Sequence, residues 1–369
     1  MGGFECSCHR LRTGRRLDLI GSTQHDRFAG ADYRRLQNQG IFTARDGLRW
    51  HLIEQKPGQY DFSSVYPMLT AARETGMQII WDLCHYGWPD DIDIFKPEFV
   101  ERFGRFARAC AQVLVSESDI LPLISPINEI SFWSWAGAEV AYFNPFAEKR
   151  GDRLKAQLVR ASIAAIEAVW SVHPNIRLVQ AEPAINVIAH PSRPADQPEA
   201  EAYRLSQYQA WDMLAGRIEP QLGGQEKYLD ILGLNYYPTN QWFLHNGMKI
   251  LVGHPLYRPF RELLSETYFR YGRPLFIAET GTEDEARPTW LRYVSEEVQA
   301  AQKLGVAVEG ICLYPILNHP GWDDDRHCYN GLWDYPNELG EREIYQPLAQ
   351  ELLSQSEVFN RTRGLRWQR

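Results

Sequence analysis

Apolar and β-branched residues gather in eight short runs along the chain: GGFEC (2–6), IFTARDGLRW (41–50), MQIIWDLCHY (77–86), LPLISPINEI (121–130), IRLVQAEP (176–183), YLDILGLNYY (228–237), RPLFIAETG (273–281) and VEGICLYPIL (308–317). Their apolarity is nearly continuous rather than alternating, which predicts strands covered on both faces, as in a parallel sheet under helices. Between the runs the period changes. In PEFVERFGRFARACAQVL, Phe99, Phe103, Phe106 and Cys110 are four, three and four residues apart, one stripe of an amphipathic helix. A second helix is predicted from Pro288 to just before Gly305, with Leu291, Val294, Val298, Ala301 and Leu304 on its inner face. Further helices are expected at 63–75, 152–172, 199–215, 256–270 and 341–354. Strand followed by helix, repeated without a linker, predicts an α/β fold: a single closed (β/α)8 TIM barrel over residues 1–369, with no second domain.

Composition narrows the partners. No apolar run approaches the roughly 20 residues that span a bilayer, so no membrane partner is expected. A net charge of −8 argues against nucleic acid, which requires a basic face, and leaves small neutral molecules as ligands. The opening MGGFECSCHR reads as a strand with no room for a leader, which predicts a cytoplasmic protein whose six scattered cysteines are reduced structural thiols. CSC lacks the CxxC spacing of zinc or redox sites, and the stretch from Asp323 to Cys328 reads as a solvated loop. No metal and no organic cofactor are implied. The basic tail RTRGLRWQR reads as a solvated or docking terminus, and the oligomeric state is not legible.

In such barrels chemistry occupies the C-terminal rim, so the last residues of each run are the candidates. They include Arg45, His85, Asn128 with Glu129, Glu182, Asn235 with Tyr236 and Tyr237, Glu279, and Tyr314. One glutamate at a strand end is as easily structural as functional. Two at one rim supply what glycosidic cleavage needs, one group to donate a proton and one to attack or activate water. Arg45 under a carboxylate would keep that group ionised, although a structural ion pair explains it too. His85 leans only slightly towards sugar binding over a satisfied core histidine. Trp88, Trp133, Trp135, Trp242 and Trp322 follow these strands, and as a group they suggest flat walls for sugar rings.

Four motifs carry a resemblance. SPINEI is similar to TFNEP, LGLNYYP to GINYYT, FIAETG to ITENG, and YNGLWDY to FGLVYVDY, all in the order found in the retaining barrel glycosidases and, within that clan, the family 1 β-glycosidases. The resemblance covers residues 3–335. It implies a retaining β-glycosidase acting on a small-molecule glycoside or oligosaccharide. Glu129 would then be the general acid and base and Glu279 the nucleophile, with Asn128 a donor to the sugar 2-hydroxyl. Arg45 and Tyr237 would hold the nucleophile, and His85, Asn235, Tyr314 and Trp322 would bind substrate. The two carboxyls are expected about 5 to 5.5 Å apart, close enough for covalent attack. Ionised Glu279 would raise the proton affinity of Glu129 until an ester forms, after which Glu129 could act as base.

The departures are as informative as the matches. Ile130 replaces the family's proline, the usual first-strand glutamine has no equivalent in GFECSCHR, Tyr314 stands for a tryptophan, and Gly321 for an acidic group binding the outer hydroxyls. The reaction is therefore carried over without the substrate. The terminal sugar is expected to differ from plain glucose, or to be held by unfamiliar contacts such as Glu5, His9, His319 or Trp322. Glu182 is the main rival carboxylate. A transglycosylase using the same intermediate, or a catalytically silent carbohydrate-binding barrel, are the alternatives.

Overall fold

Eight parallel strands close on themselves in the computed structural model, which describes residues 1–366, with side chains through residue 360. They are β1 (Gly2–Gly3), β2 (Thr43–Gly47), β3 (Gln78–Asp82), β4 (Leu123–Ser125), β5 (Arg177–Pro183), β6 (Ile231–Asn235), β7 (Leu275–Thr280) and β8 (Val308–Leu313). Each pairs with the next in sequence, and β8 returns to β1 through Gly2 beside Leu313. The order follows from the connections, since a parallel neighbour needs a crossover and a helix supplies it.

The helices are α1 (His25–Asn38), α2 (Tyr66–Thr75), α3 (Pro97–Glu117), α4 (Gly151–Val172), α5 (Gln197–Leu205), α6 (Phe260–Tyr271), α7 (Arg287–Lys303) and α8 (Gln346–Arg366). On α3 the stripe Phe99, Phe103, Phe106 and Cys110 is wholly buried, and the three phenylalanines pack around Trp50. Pro288 stands in the first turn of α7, and Gly305 beyond its end takes φ +87°, the left-handed value open to glycine. The stretch at 199–215 is α5 continued by short helical turns through Leu214.

Two expectations need correction. The helix placed at 341–354 begins only at Gln346, because Arg342–Ile344 pairs as a short strand with Trp333–Pro336. Helix α1 was not anticipated at all, since its inward face mixes Ala29, Tyr33 and Leu36 with His25 and Asp32 and so shows no clean apolar stripe. The reading of the basic tail falls outside the described side chains. Among the described residues no helix is long and apolar enough to cross a membrane, and all six cysteines are buried free thiols.

The barrel interior is small. Ile80, Val179, Ala181, Phe276 and Ala278 fill its lower part, while the larger core lies between sheet and helices. Crowding there explains Gly233 on β6, where a Cβ would stand 2.7 Å from that of Ala278. The register between β6 and β7 slips between Leu234 and Asn235, so Asn235 sits opposite Glu279. That bulge lets Ala278 face the interior while Glu279, the next residue, also turns to the site.

Helix α1 is tied to the barrel by charge. His25 is wholly buried, with Nδ1 2.9 Å from Asp32 and Nε2 2.8 Å from Asp46 on β2. Arg342 closes on Asp32 at 2.7 Å, and the Tyr33 hydroxyl donates to Asp46. Burial alone would lower the pKa of His25, but Asp46 and Asp32 outweigh it and raise it from 6.5 to about 9. The imidazolium therefore stabilises the fold fully below the unfolded value, and that stability is lost as pH rises through the folded one. Wild type is expected to lose about 3 kcal/mol more unfolding free energy than His25→Asn between pH 6 and pH 10. Denaturant titrations of both proteins across that range would measure the difference, and equal slopes would contradict it.

Candidate active site

Arg45 rises from β2 into the barrel with no exposed surface, and its guanidinium organises the floor of the site. Nε and Nη2 reach the two oxygens of Asp82, at the end of β3, at 3.1 and 2.8 Å. Nη1 donates to Glu279 Oε1 at 2.7 Å, and Nη2 donates to Asn128 Oδ1 at 2.6 Å. Asp82 and Glu279 thus share one cation, the arrangement in which a buried charge survives loss of water, although burial still pushes the Glu279 carboxyl up to about 7 against Arg45. Burial would raise the pKa of Asp82, but Arg45 and His85 bring it below the usual carboxylate range.

One guanidinium dictates the protons on three neighbours. Because arginine only donates, Asn128 must turn Oδ1 to it and present Nδ2 on the other side. That Nδ2 lies 3.0 Å from His85 Nε2 and 2.9 Å from the Tyr86 hydroxyl. His85 Nε2 then accepts, so its proton resides on Nδ1, 3.0 Å from Asp82 Oδ2. Burial opposes the imidazolium, whereas Asp82, Glu5 and Glu279 favour it, with a net upward direction. Protonating Nε2 would set N–H against N–H at 3.0 Å, which favours the neutral ring while Arg45 holds Asn128.

Above this floor lies a cavity of about 880 Å3 into which Glu129 and Glu279 both open. Glu129 follows β4 in the left-handed region at φ +46°, and its N–H is anchored to the Ala181 carbonyl of β5. A non-glycine residue held there costs on the order of 1–3 kcal/mol, a strain that concentrates at functional positions. The Glu129 Oε2 accepts from Tyr86 at 2.5 Å, and Tyr237, half-buried after β6, donates to Glu279 Oε2 at 2.9 Å.

The two carboxyls are chemically alike and differently equipped. Burial raises both, and each raises the proton affinity of the other. Glu279 has a guanidinium and a phenol to stabilise its anion, whereas Glu129 has only neutral donors. Asn235 also lies against Glu129 and favours its anion, though its two amide atoms reach no partner at hydrogen-bond geometry. The donors around Glu279 thus favour its anion more than those around Glu129 do, and the two carboxyls titrate as a pair.

The sequence-derived candidates divide by depth. Glu129, Glu279, His85, Tyr237 and Trp322 line the cavity, as do Glu5, Tyr86, Phe132, Trp135 and Trp242. Arg45, Asn128, Asn235 and Tyr314 are buried and do not line the cavity: Arg45, expected to hold Glu279, donates to it, whereas Asn128, Asn235 and Tyr314, expected to contact sugar, lie behind the lining. Both amide hydrogens of Asn128 are already engaged by His85 and Tyr86. Tyr314 stacks parallel to His85 and lies under Arg45, acting as packing. His9 and His319 are likewise buried: His9 packs on Phe143 and Trp322, and His319 bonds Pro320 and Asn330. Trp88 and Trp133 pack together below the loops rather than facing a ligand.

Glu182 is also behind the wall. Its carboxylate accepts the Ser131 N–H at 3.0 Å, fixing the helical turn that follows Glu129. Burial pushes its carboxyl up to about 7 against the Ser131 donors and nearby Lys155. Asp82 and Tyr86 were missed in the sequence. Asp82 had a signal, a charge breaking an apolar strand beside a strand carrying Arg45, whereas nothing local distinguishes the Tyr86 hydroxyl.

Cys6, Asp82 and His85 bring three metal-type donors together. They do not suit a cation. The His85 Nδ1 proton lies between Asp82 and Cys6 Sγ at 3.0 and 3.1 Å, Arg45 already occupies Asp82, and burial pushes the Cys6 thiol well up. The Asp323–Cys328 stretch instead forms exposed ion pairs, Asp325 with Arg15 and Arg326 with Glu283.

No protein-family model matches the chain. A β-galactosidase of Sulfolobus acidocaldarius is 24% identical over 335 residues, covering 76% of this chain and 66% of that relative, just short of two thirds of its length. Among solved structures, a family 1 β-glucosidase from Thermotoga maritima superposes with a TM-score of 0.72 at 14% identity, over 89% of this chain and 86% of that one. The same Thermotoga β-glucosidase in complex with deoxynojirimycin gives 0.72 at 13% identity, over 90% and 87%. A hyperthermophilic β-glucosidase mutant gives 0.74 at 18% identity, over 90% of each chain. This chain is thus similar in sequence to the Sulfolobus β-galactosidase, and its barrel has the fold of the family 1 β-glucosidase from Thermotoga maritima.

Proposed function

We propose that the chain is a β-glycosidase that removes a terminal sugar from a small glycoside or oligosaccharide by double displacement. The observation that carries this reading is the inequality of two glutamates in one cavity. Glu279, ionised against Arg45 and oriented by Tyr237, has the charge and the fixed geometry of a nucleophile. Glu129, protonated and without a cation, has those of a general acid. In the first step Glu279 attacks the anomeric carbon as Glu129 gives its proton to the leaving oxygen. Esterification removes the Glu279 charge, so Glu129 becomes more acidic, and in the second step it takes a proton from the attacking water. The Sulfolobus β-galactosidase and the Thermotoga β-glucosidase support the reaction class.

Sugar recognition falls to the residues left at the cavity surface. Glu5 and His85 supply polar groups and Trp322 a flat face, in place of Asn128 and Tyr314. Trp135 and Trp242 stand on the same cavity wall and suit the group that leaves.

Glu279→Ala should lower kcat on aryl β-glycosides by at least about 10⁴-fold, as loss of a covalent nucleophile does. Azide should restore part of the turnover and yield a glycosyl azide of inverted configuration, identified by NMR. A 2-deoxy-2-fluoro glycoside should label Glu279 in wild type, read by peptide mass. Absence of any label would favour a silent carbohydrate-binding barrel. Glu182→Gln, in contrast, keeps a group able to accept from Ser131 and should hold kcat within about tenfold of wild type while lowering stability by about 1–3 kcal/mol. A Glu279→Ala protein that keeps its turnover while Glu182→Gln loses it would transfer the nucleophile's role away from position 279.

A further inference from the structure

A directed chain of hydrogen bonds joins the two glutamates beneath the cavity. Arg45 donates to Glu279 and to Asn128 Oδ1, Asn128 Nδ2 donates to the Tyr86 hydroxyl, and that hydroxyl donates to Glu129 Oε2. Every donor in it is determined. Arginine cannot accept, so the Asn128 amide has one orientation, and its N–H obliges Tyr86 to accept and to send its only proton onward. Tyr86 itself is 2% exposed, its backbone is held left-handed at φ +68°, and its ring is wedged against Phe132, Trp133 and Phe143.

We infer that Tyr86 is the positioning residue of Glu129: its hydroxyl selects which carboxyl oxygen carries the acid's proton and supports the anion that must form in the second half-reaction. This deepens the double-displacement reading and rests on it. With Oε2 engaged as acceptor, the proton resides on Oε1. When the leaving group takes that proton, Glu129 becomes an anion in a buried place, and the Tyr86 O–H is a short, directed donor to it. Tyr237 serves Glu279 in the same way. The site thus has one phenol for each carboxyl, and a cation for only one of them.

Other groups also act on Glu129. Glu182 from β5 and Glu279 from β7 disfavour its anion, and His85 favours it when charged. Tyr237 stands across from it after β6, and Arg45 reaches it only through Asn128. Among the groups that favour the anion, Tyr86 is the strongest. Removing its hydroxyl therefore makes Glu129 a weaker acid and a less stable base.

The test is Tyr86→Phe in the full chain, with folding checked by thermal unfolding. A 2,4-dinitrophenyl β-glycoside loses its leaving group without protonation, so turnover is limited by breakdown of the ester, where Glu129 is the base. There kcat should fall about tenfold and KM should fall with it, leaving kcat/KM nearly unchanged. Azide, which attacks without a base, should restore kcat. With a phenyl glycoside, which needs the acid, the high-pH limb of kcat/KM should move up by about one pH unit. Site-specific 3-fluorotyrosine at position 86, the same shape with a more acidic hydroxyl, should move that limb down and keep kcat, so a poorly folded Tyr86→Phe would not end the test. Unchanged limbs in both variants would overturn the inference, as would equal losses of kcat and kcat/KM without azide rescue, which mark a merely structural role. A wild type that is active and retaining while these effects are absent loses only the role of Tyr86. A wild type that inverts configuration removes the double-displacement reading and this inference with it.

Discussion

The site depends on one guanidinium placed where water cannot reach it. Arg45 is surrounded by Asp82, Glu279 and the Asn128 carbonyl, and in a barrel interior its charge is tolerable because carboxylates lie directly against it. Removing Arg45 would leave Asp82 and Glu279 buried without a counter-ion, a loss of about 3–5 kcal/mol. The cation and its two anions leave one net negative charge, and Glu279, which opens to the cavity, can lose its charge by forming a bond. Asp82, turned away and fully buried, cannot.

From that constraint the remaining protons follow without further assumptions. Arg45 orients Asn128, Asn128 decides the tautomer of His85 and the direction of the Tyr86 hydroxyl, and Tyr86 addresses Glu129. Two identical side chains thus stand in unequal surroundings, the general device by which one site can perform acid and base chemistry at one pH. The strained backbone at Glu129 and Tyr86 belongs to the same picture. Positive φ at both positions brings their side chains together from adjacent strand ends, and the packed aromatic rings around them hold the arrangement against the cost.

The fold was legible because strands buried on both faces leave long apolar runs, and eight such runs interleaved with amphipathic periods admit few architectures. Helix α1 escaped because His25 and Asp32 interrupt the buried stripe of Ala29, Tyr33 and Leu36, so its inward face carries no clean apolar period. Strand ends gave the height of each candidate above the barrel floor but not the direction of its side chain. Hence Glu129, Glu279 and Trp322 could be placed beside Arg45, Asn128 and Tyr314 in a single group, although a wall separates the two sets. The bulge that turns Glu279 inward is a property of register between β6 and β7 and leaves no trace in FIAETG itself. Tyr86 was invisible for a related reason, since its meaning lies in the orientation of an amide on another strand.

The division between wall and cavity also explains how the motifs of the family can persist while its sugar-selecting residues are replaced. Groups behind the wall answer to Arg45, so changing one of them disturbs the charge on Glu279 and the proton on Glu129 together. Groups on the cavity surface, such as Glu5, Trp322 and Trp242, come from segments beyond the barrel strands and make no hydrogen bond to Arg45. Such loops tolerate change far better than a buried network does. Tyr86 is where the two layers meet, at once a cavity residue and a member of the hydrogen-bonded chain. Its hydroxyl gives Glu129 a partner of its own and connects that carboxyl, through Asn128 and Arg45, to Glu279.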